Sequence, residues 1–278
     1  MRRLAPLALL VFAAAGVVTA ASIASTSGRG GGGHGSGGRA FAVRCQFSHR
    51  NTDDLIVFPA QPGRSHDHTY FGNKTTSASS TDESLRAAGA TTCLRRGDTA
   101  AYWVPTLFSN GQPVTPRSAT IYYRRKTVDR VQAFPRGFRM IAGTSTATTA
   151  QPLQVTFWNC RSFGERTEPS STVPACSSGV RSTLNLHVDF PNCWNGTSLD
   201  STDHKSHLAY AVNGRCPASH PVAVPAISLI VHYSRVDPAT AELASRGQVS
   251  GHGDFVNAWN QQRLERLVDR YLNRARRR

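Results

Sequence analysis

Thr183-Leu184-Asn185-Leu186-His187-Val188-Asp189-Phe190 is the stretch that decides the fold class. Leu184, Leu186, Val188 and Phe190 alternate with Asn185, His187 and Asp189, and a period of two marks a strand with one face in a core and the other toward polar surroundings. Outward from it, runs of similar length occupy Phe41 to Phe47, Ala101 to Phe108, Ala119 to Arg125, Leu153 to Asn159 and Ile227 to Ser234, each bounded by Gly, Pro, Ser, Thr or Asn. Such spacing predicts a mostly β protein, an antiparallel β-sandwich or jelly-roll-like domain with long loops. Helical periodicity is sustained only near the C-terminus, where Phe255, Val256, Trp259, Leu264, Leu267, Val268 and Tyr271 recur and Asp254 is the expected N-cap. There is no internal repeat.

Six cysteines, Cys45, Cys93, Cys160, Cys176, Cys193 and Cys216, form an even set without a Cys-x-x-Cys pair, which favours disulfides over zinc or redox chemistry. Sequential pairing, Cys45 with Cys93, Cys160 with Cys176 and Cys193 with Cys216, is expected because each pair encloses a Ser/Thr/Gly/Asn-rich excursion. Each bridge would contribute about 3 to 4 kcal/mol by restricting the unfolded chain.

The 278 residues carry 32 Lys+Arg against 17 Asp+Glu, a formal net charge of +15. Met1-Arg2-Arg3 followed by the apolar run Leu4 to Ala20 and small residues at Ala20 to Ala24 reads as an export signal over residues 1–24; retained, the same run would be a membrane anchor. Residues 25–40 read as a linker, since Gly28 to Gly38 contains eight glycines. Residues 41–260 are then one β-rich domain, and 261–278 an Arg-rich helix end and tail with seven arginines, Arg263 to Arg278. These cations either complement the helix dipole or tether the protein weakly to anionic wall polymer or lipid headgroups. A specific nucleic-acid role is not expected, because the charge is not interleaved with a recognised binding motif. The expected state is a secreted monomer whose membrane contacts are limited to the signal segment and the tail.

There is no Gly-x-Ser-x-Gly elbow, no His-Glu-x-x-His zinc helix and no phosphate-binding Gly-x-x-x-x-Gly-Lys-Ser/Thr. Histidines in polar, turn-like contexts remain. In Arg64-Ser65-His66-Asp67-His68, an extended backbone aims His66 and His68 at one face, close enough to grip one metal ion or one substrate group, while Asp67 points away. A second group joins Asp189, Trp194, Asp200, Asp203-His204-Lys205-Ser206-His207 and Tyr210; His220 beside Pro221, and His252-Gly253-Asp254, complete the set. Each has a bland alternative: Asp254 caps a helix, Trp194 packs on its disulfide, His220 is a hydrogen-bonded loop residue. Together they supply a His near a carboxylate for acid/base work, or three or four ligands for a divalent metal ion.

The ordered series Phe41-x-Val43-x-Cys45, Asp54-x-Ile56-Val57, Pro62-Gly63-x-Ser65-His66-x-His68, Trp103-x-Pro105, Phe190-Pro191-Asn192-Cys193-Trp194-Asn195-Gly196, Asp203-His204-x-x-His207-x-x-Tyr210, Cys216-Pro217-x-x-His220-Pro221 and His252-x-Asp254-Phe255 resembles the secreted domain-of-unknown-function family 1996. The resemblance covers about Phe41 to Trp259 and implies an actinobacterial or fungal extracellular protein associated with cell walls or biomass. It implies no activity. Two departures from the family pattern are Phe58-Pro59-Ala60, where a proline-glycine turn is usual, and Ala258, where glycine is expected before Trp259.

The leading expectation is a carbohydrate-active protein, a glycan hydrolase or lyase. His66, His68 and His207 contact the reacting sugar, Asp254 or Asp189 acts as base or orienter, Trp194 stacks on the sugar, and His204, His220, His252 and Tyr210 bind substrate. The alternatives are a noncatalytic polysaccharide- or cell-wall-binding module using Trp103, Trp194, Tyr122 and Tyr123, and a metal-binding extracellular protein with His66, His68, His207 and His252 as ligands.

Overall fold

In the computed structural model, which describes residues 39–162, 165–179 and 181–274, the alternating stretch Thr183–Asp189 is a strand in the interior of an antiparallel sheet. The expected export signal, all of the expected linker but its last two residues, and Arg276 to Arg278 lie outside the described residues. In chain order the strands are β1 (Ala40–Cys45), β2 (Phe47–Asn51), β3 (His68–Gly72), β4 (Ala101–Pro105), β5 (Leu107–Ser109), β6 (Gln112–Pro113), β7 (Ser118–Arg124) and β8 (Arg139–Gly143). They continue as β9 (Thr156–Ser162), β10 (Glu165–Arg166), β11 (Thr183–Asp189), β12 (Cys193–Trp194), β13 (Leu208–Ala209), β14 (Val222–Ala223), β15 (Ala226–Tyr233), β16 (Ala241–Leu243) and β17 (His252–Val256). A short helix α1 (Asp82–Ala88) follows β3, and α2 (Gln261–Leu267) follows β17.

Two sheets form the sandwich-like body. The six-stranded sheet runs β1-β7-β15-β11-β9-β10, and the five-stranded sheet runs β2-β3-β4-β17-β8. Leu184, Leu186 and Val188 of β11 enter one apolar core with Ile121 and Tyr123 of β7 and Leu229 and Val231 of β15. From the other sheet that core receives Phe71, Tyr102, Val104, Met140 and Phe255. A smaller cluster, Leu55, Ile56, Tyr70, Leu85, Trp103 and Val256, lies on the outer face of the five-stranded sheet. The disulfides join Cys45 to Cys93, Cys160 to Cys176 and Cys193 to Cys216, the sequential pattern. Three disulfides belong to the chemistry of an oxidising compartment; among the described residues no helix is long and apolar enough to cross a membrane.

The C-terminal region differs from the sequence expectation. His252–Val256 is a strand paired with β4 on one side and β8 on the other, so Asp254 caps no helix. Asn260 is the N-cap, its side chain accepting from the Arg263 amide, and α2 begins at Gln261. Phe255 and Trp259 fit a helical step, but the backbone pairing available on both edges of β17 outweighs that local pattern. The helix then continues as a wider π-turn over Val268–Asn273 and buries Leu264, Val268 and Leu272 in the main core. This segment is docked into the domain, and the Asn273 amide group holds it there by accepting from the Val131 N–H and donating to the Val131 carbonyl. Strands β3 and β17 escape an alternation search because every residue in them is buried.

The two family departures have different consequences. Ala258 is buried beside Leu55 and Ile56 and keeps an ordinary backbone, with its carbonyl accepting from Thr99 Oγ1. Ala60 has φ +59°, a left-handed conformation that costs an L-residue roughly 1–2 kcal/mol. Its side chain is exposed and its amide is fixed to the Ala78 carbonyl at 2.8 Å. Ala60→Gly is therefore expected to stabilise the protein by about 1 kcal/mol, read as a raised denaturation midpoint at unchanged m-value.

Candidate metal centre

The centre is assembled from the loop preceding β3 and from the outer face of β17. Asp54 starts the loop by accepting the amides of Ile56 at 2.8 Å and Val57 at 2.9 Å, a side-chain turn that buries Leu55 and Ile56 against the sheet. Asp53 ties the far side down, its carboxylate accepting from the Gly63 amide at 2.8 Å and the Ala78 amide at 3.0 Å. The chain then returns through His66-Asp67-His68 into β3. The Asp67 side chain turns away to accept from the Thr106 hydroxyl while its carbonyl accepts from the Thr106 amide at 2.9 Å, leaving the two flanking imidazoles on one side with ring centroids 4.2 Å apart.

The sheet register brings β17 to meet them. Tyr70, Trp103, Asp254 and Ile141 lie in one row across β3, β4, β17 and β8; two residues along, His68 pairs with Pro105 and His252 with Gly143. Gly143 has φ +81°, and a methyl group there would come within 2.5 Å of the Gly251 carbonyl and 2.8 Å of His252 Cα. Only glycine lets β8 lie this close to the backbone that carries His252. The His252 ring stands 5.1 Å from His66 and 5.9 Å from His68.

Hydrogen bonding selects the tautomer of two of these rings. His68 Nδ1–H donates to the Asp53 carbonyl at 3.0 Å and His252 Nδ1–H to the Ser250 carbonyl at 2.9 Å. Each neutral ring therefore presents its Nε2 lone pair, the arrangement by which backbone carbonyls orient metal-binding histidines. His68 Nε2, His66 Nε2 and Asp254 Oδ2 are buried without a hydrogen-bond partner. Nitrogen atoms of His66, His68 and His252 lie within 4.8 Å of one another, and the same limit holds for Asp54, His68 and Asp254.

Burial governs the charge states. It pushes the His68 imidazole well below its usual pKa, helped by His66 and His252, and takes His252 down to about 3 and His66 to about 4. Burial also raises Asp254 well above the ordinary carboxylate range, with the nearby Asp54 adding to the effect. Asp54 is raised by burial too, against the opposing pull of the Val57 and Ile56 amides. Three neutral imidazoles beside a carboxyl that resists ionisation form a cluster short of positive charge.

The cluster opens into a cleft of about 510 Å³ also bordered by Phe58, Arg64, His204 and Lys205. Arg64 lies over the Phe58 ring at 5.9 Å, Lys205 Nζ donates to the Gly143 carbonyl at 2.7 Å, and His204 Nδ1 faces both Asp200 oxygens at 3.0 Å. On the same loop Asp203 is held below the ordinary carboxylate range, chiefly by the Ser206 amide and then by the Ser201 hydroxyl.

Of the residues singled out in the sequence, the structure thus brings together His66, His68, His252 and Asp254, with His204 on the cleft wall. It places the others elsewhere. His207 is buried with both nitrogens engaged, Nδ1 with Ser201 Oγ and Nε2 with the Arg139 carbonyl, each at 2.9 Å; it braces the loop that carries His204 and has no atom free for substrate or metal. Asp189 lies on the outer face of the other sheet, bonded to Ser228 and 3.9 Å from Lys126 Nζ. Trp194 packs edge-on against Phe138 and donates Nε1–H to the Ser198 carbonyl at 2.7 Å, so it is no stacking platform in this cleft. His220 is tied to the Ser206 carbonyl at 3.0 Å. Tyr210 lines an adjoining recess that shares Lys205 and Gly143 with the cleft. The sequence motifs contain Asp54, Arg64 and Lys205 but assign them no role; the adjacent Asp53-Asp54 before an apolar pair is the available signal for the first.

A family model described as Domain of unknown function (DUF1996) matches residues 54–259, from the aspartate that opens the site loop to the tryptophan after β17. No curated protein and no solved structure matches the chain.

The charge states give the metal-free protein a defined pH response. His68 and His252 stay neutral in the fold, whereas in the unfolded chain they protonate below about pH 6.5. Each therefore lowers stability by about 1.4 kcal/mol per pH unit as pH falls from there toward its folded value. Asp254, with its folded pKa raised, works in the opposite sense: its contribution is present at low pH and lost as pH rises. In chelator-treated protein, His252→Gln is expected to flatten the decline between pH 6.5 and 4 and Asp254→Asn to steepen it, as read from denaturation midpoints.

Proposed function

Because the chain belongs to the family defined as Domain of unknown function (DUF1996), a name that carries no activity, we propose its function from the site itself: an exported protein that holds one divalent transition-metal ion on His66, His68, His252 and Asp254 and cleaves a polyhydroxylated substrate, a glycan, in the adjoining cleft. The observation that carries this reading is the set of buried atoms without partners. Leaving a polar atom buried and unpaired costs roughly 1–3 kcal/mol; His66 Nε2, His68 Nε2 and Asp254 Oδ2 are three such atoms, and the groups His66–His68–His252 and Asp54–His68–Asp254 have His68 in common. A cation bound where the two groups meet at His68 gives these atoms a partner and favours the ionised form of Asp254.

Imidazole nitrogens with a carboxylate suit zinc, copper, iron or nickel better than calcium or magnesium, which take oxygen ligands. When bound, such an ion supplies a Lewis acid and an acidified water. The chain's own residues do the rest. The carbonyls of Asp53 and Ser250 hold the His68 and His252 rings in the ligating tautomer. Arg64 and Lys205 present donors to a polar substrate along the cleft beside the His204 ring, and the small apolar cluster beneath the site excludes bulk water from the inner side. The glycan assignment rests on this polar, hydroxyl-compatible lining and on the disulfide chemistry of an extracellular protein.

A second reading uses the same residues without metal. A carboxyl whose protonated form is favoured by burial, beside neutral imidazoles, is an acid/base pair suited to proton transfer, and the raised Asp254 specifically favours it. Chelation separates the two readings.

Purified protein, dialysed and analysed for metals, is expected to retain about one equivalent of a transition metal. His68→Ala should weaken that binding by about 100-fold or more, and Asp254→Asn by about 10- to 100-fold. Release of reducing ends from a glycan panel should stop on chelation and return on adding metal. Absence of stoichiometric binding for zinc, copper, iron and nickel, with no rise in thermal midpoint on metal addition, would overturn the metal reading; chelator-resistant turnover abolished by Asp254→Asn would favour the acid/base one.

A further inference from the structure

The outer face of the six-stranded sheet, on the far side of the core from the metal centre, carries a second set of functional groups. The register aligns Arg44, Thr120, Ile230, His187 and Phe157 in one row across β1, β7, β15, β11 and β9. A neighbouring row holds His232, Asn185 and Asn159. His187 and Phe157 stack with centroids 4.2 Å apart and planes 10° from parallel, a rigid wall beside a groove of about 180 Å³.

The neutral groups here are already oriented. His232 bridges Thr120 Oγ1 at 2.9 Å and Asn185 Oδ1 at 2.7 Å, and Asn159 Oδ1 accepts from Asn185 at 3.0 Å and from His187 Nε2–H at 3.1 Å. Asn159 Nδ2 is buried and has no partner. This network holds Thr120 Oγ1 and the His187–Phe157 stack in place, so that a sugar chain meets them without reorganisation.

Around them stand Arg44, Arg124, Arg161 and Arg166. Among the described residues none of the four pairs with a carboxylate; Arg124 lies over the Tyr122 ring at 4.6 Å. The arginines help burial push His187 and His232 down, Arg166 and Arg124 acting on the first and Arg44 and Arg161 on the second. Among the described residues the single carboxylate lining the groove, Asp189, is occupied by Ser228 and lies near Lys126. Nor can the N-terminal segment neutralise this face, since the first acidic residue of the chain is Asp53.

We propose that this sheet face is a binding site for an anionic polysaccharide carrying uronate carboxylates, with Arg44, Arg161 and Arg166 meeting the carboxylates, Thr120 Oγ1 meeting a sugar hydroxyl and the stacked His187–Phe157 pair meeting a sugar face. Arginine forks fit carboxylates in two-point contact, and a sheet edge-to-edge row matches an extended polymer. The site is independent of the metal centre and would hold the protein on an acidic polymer while the cleft on the opposite face stays free.

The test is retention on immobilised polygalacturonate against a neutral glucan over a salt series. Wild-type protein should bind the polyuronate, release with rising salt and ignore the glucan. The Arg44→Gln/Arg161→Gln/Arg166→Gln variant, whose exposed side chains leave the thermal midpoint unchanged, should bind about tenfold or more weakly. Phe157→Ala should weaken binding with the salt dependence preserved, whereas His68→Ala should bind as wild type. Equal binding to the neutral glucan would overturn the proposal. So would wild-type retention by the triple variant with loss in Arg266→Gln/Arg270→Gln/Arg274→Gln, which places the affinity on the C-terminal helix. Tighter binding to single-stranded DNA than to polygalacturonate at equal charge would assign the face to nucleic acid instead.

Discussion

The rest of the structure depends on how closely β17 approaches β11. The inward-facing positions before Phe255 are Gly251 and Gly253, and a methyl group at Gly253 would lie 3.3 Å from Val188 Cγ1 and 3.4 Å from Phe190. At Gly251 the corresponding contact would be 2.6 Å from Thr156 Oγ1. Side chains absent on the inner face let the two sheets close on each other at this point, and alternation then dictates that His252 and Asp254 project from the outer face. Dense interiors leave little room for adjustment, so the same constraint that packs the core also sets where the site residues stand.

That placement explains why the site is chemically tense. The outer face of an antiparallel sheet is ordinarily wetted, but here the Asp54 turn and α1 cover it with Leu55, Ile56 and Leu85. Water is displaced from around groups that need a partner, and the partner provided by the protein is incomplete: His68 has a carbonyl at Nδ1 and nothing at Nε2, and His66 Nε2 is likewise buried without a partner. Native proteins retain few such atoms, and those they keep concentrate where a ligand completes the set. The opposite face of the sandwich solves its polarity differently, with a connected hydrogen-bond network under a layer of arginines.

Much of the architecture is legible before any coordinates. The alternation in Thr183–Asp189 marks both the strand and its buried side, and the sequential disulfides follow from the loops that they enclose. The two-residue spacing of His66 and His68 likewise implies their shared direction, because extended backbone sends alternate side chains to one face. His207 shows the limit of that reasoning. Its neighbours Asp203 and His204 look like a site in sequence, yet its two nitrogens are consumed by Ser201 and by the Arg139 carbonyl, a partner 68 positions away. Trp194 and Asp189 are parallel cases, since a side chain's availability depends on contacts that no local pattern records.

The sequence by itself determined the class of fold, the pairing of its cysteines and the kind of side chain available for chemistry, since these follow from short-range periodicity and composition. The tertiary structure alone decided which of ten histidines meet. His68 and His252 are 184 positions apart and become neighbours only because β3 and β17 flank β4 in one sheet. Pairing partners are chosen by the backbone hydrogen bonds and apolar burial of the whole chain, and a free lone pair is what remains after every other contact has been made.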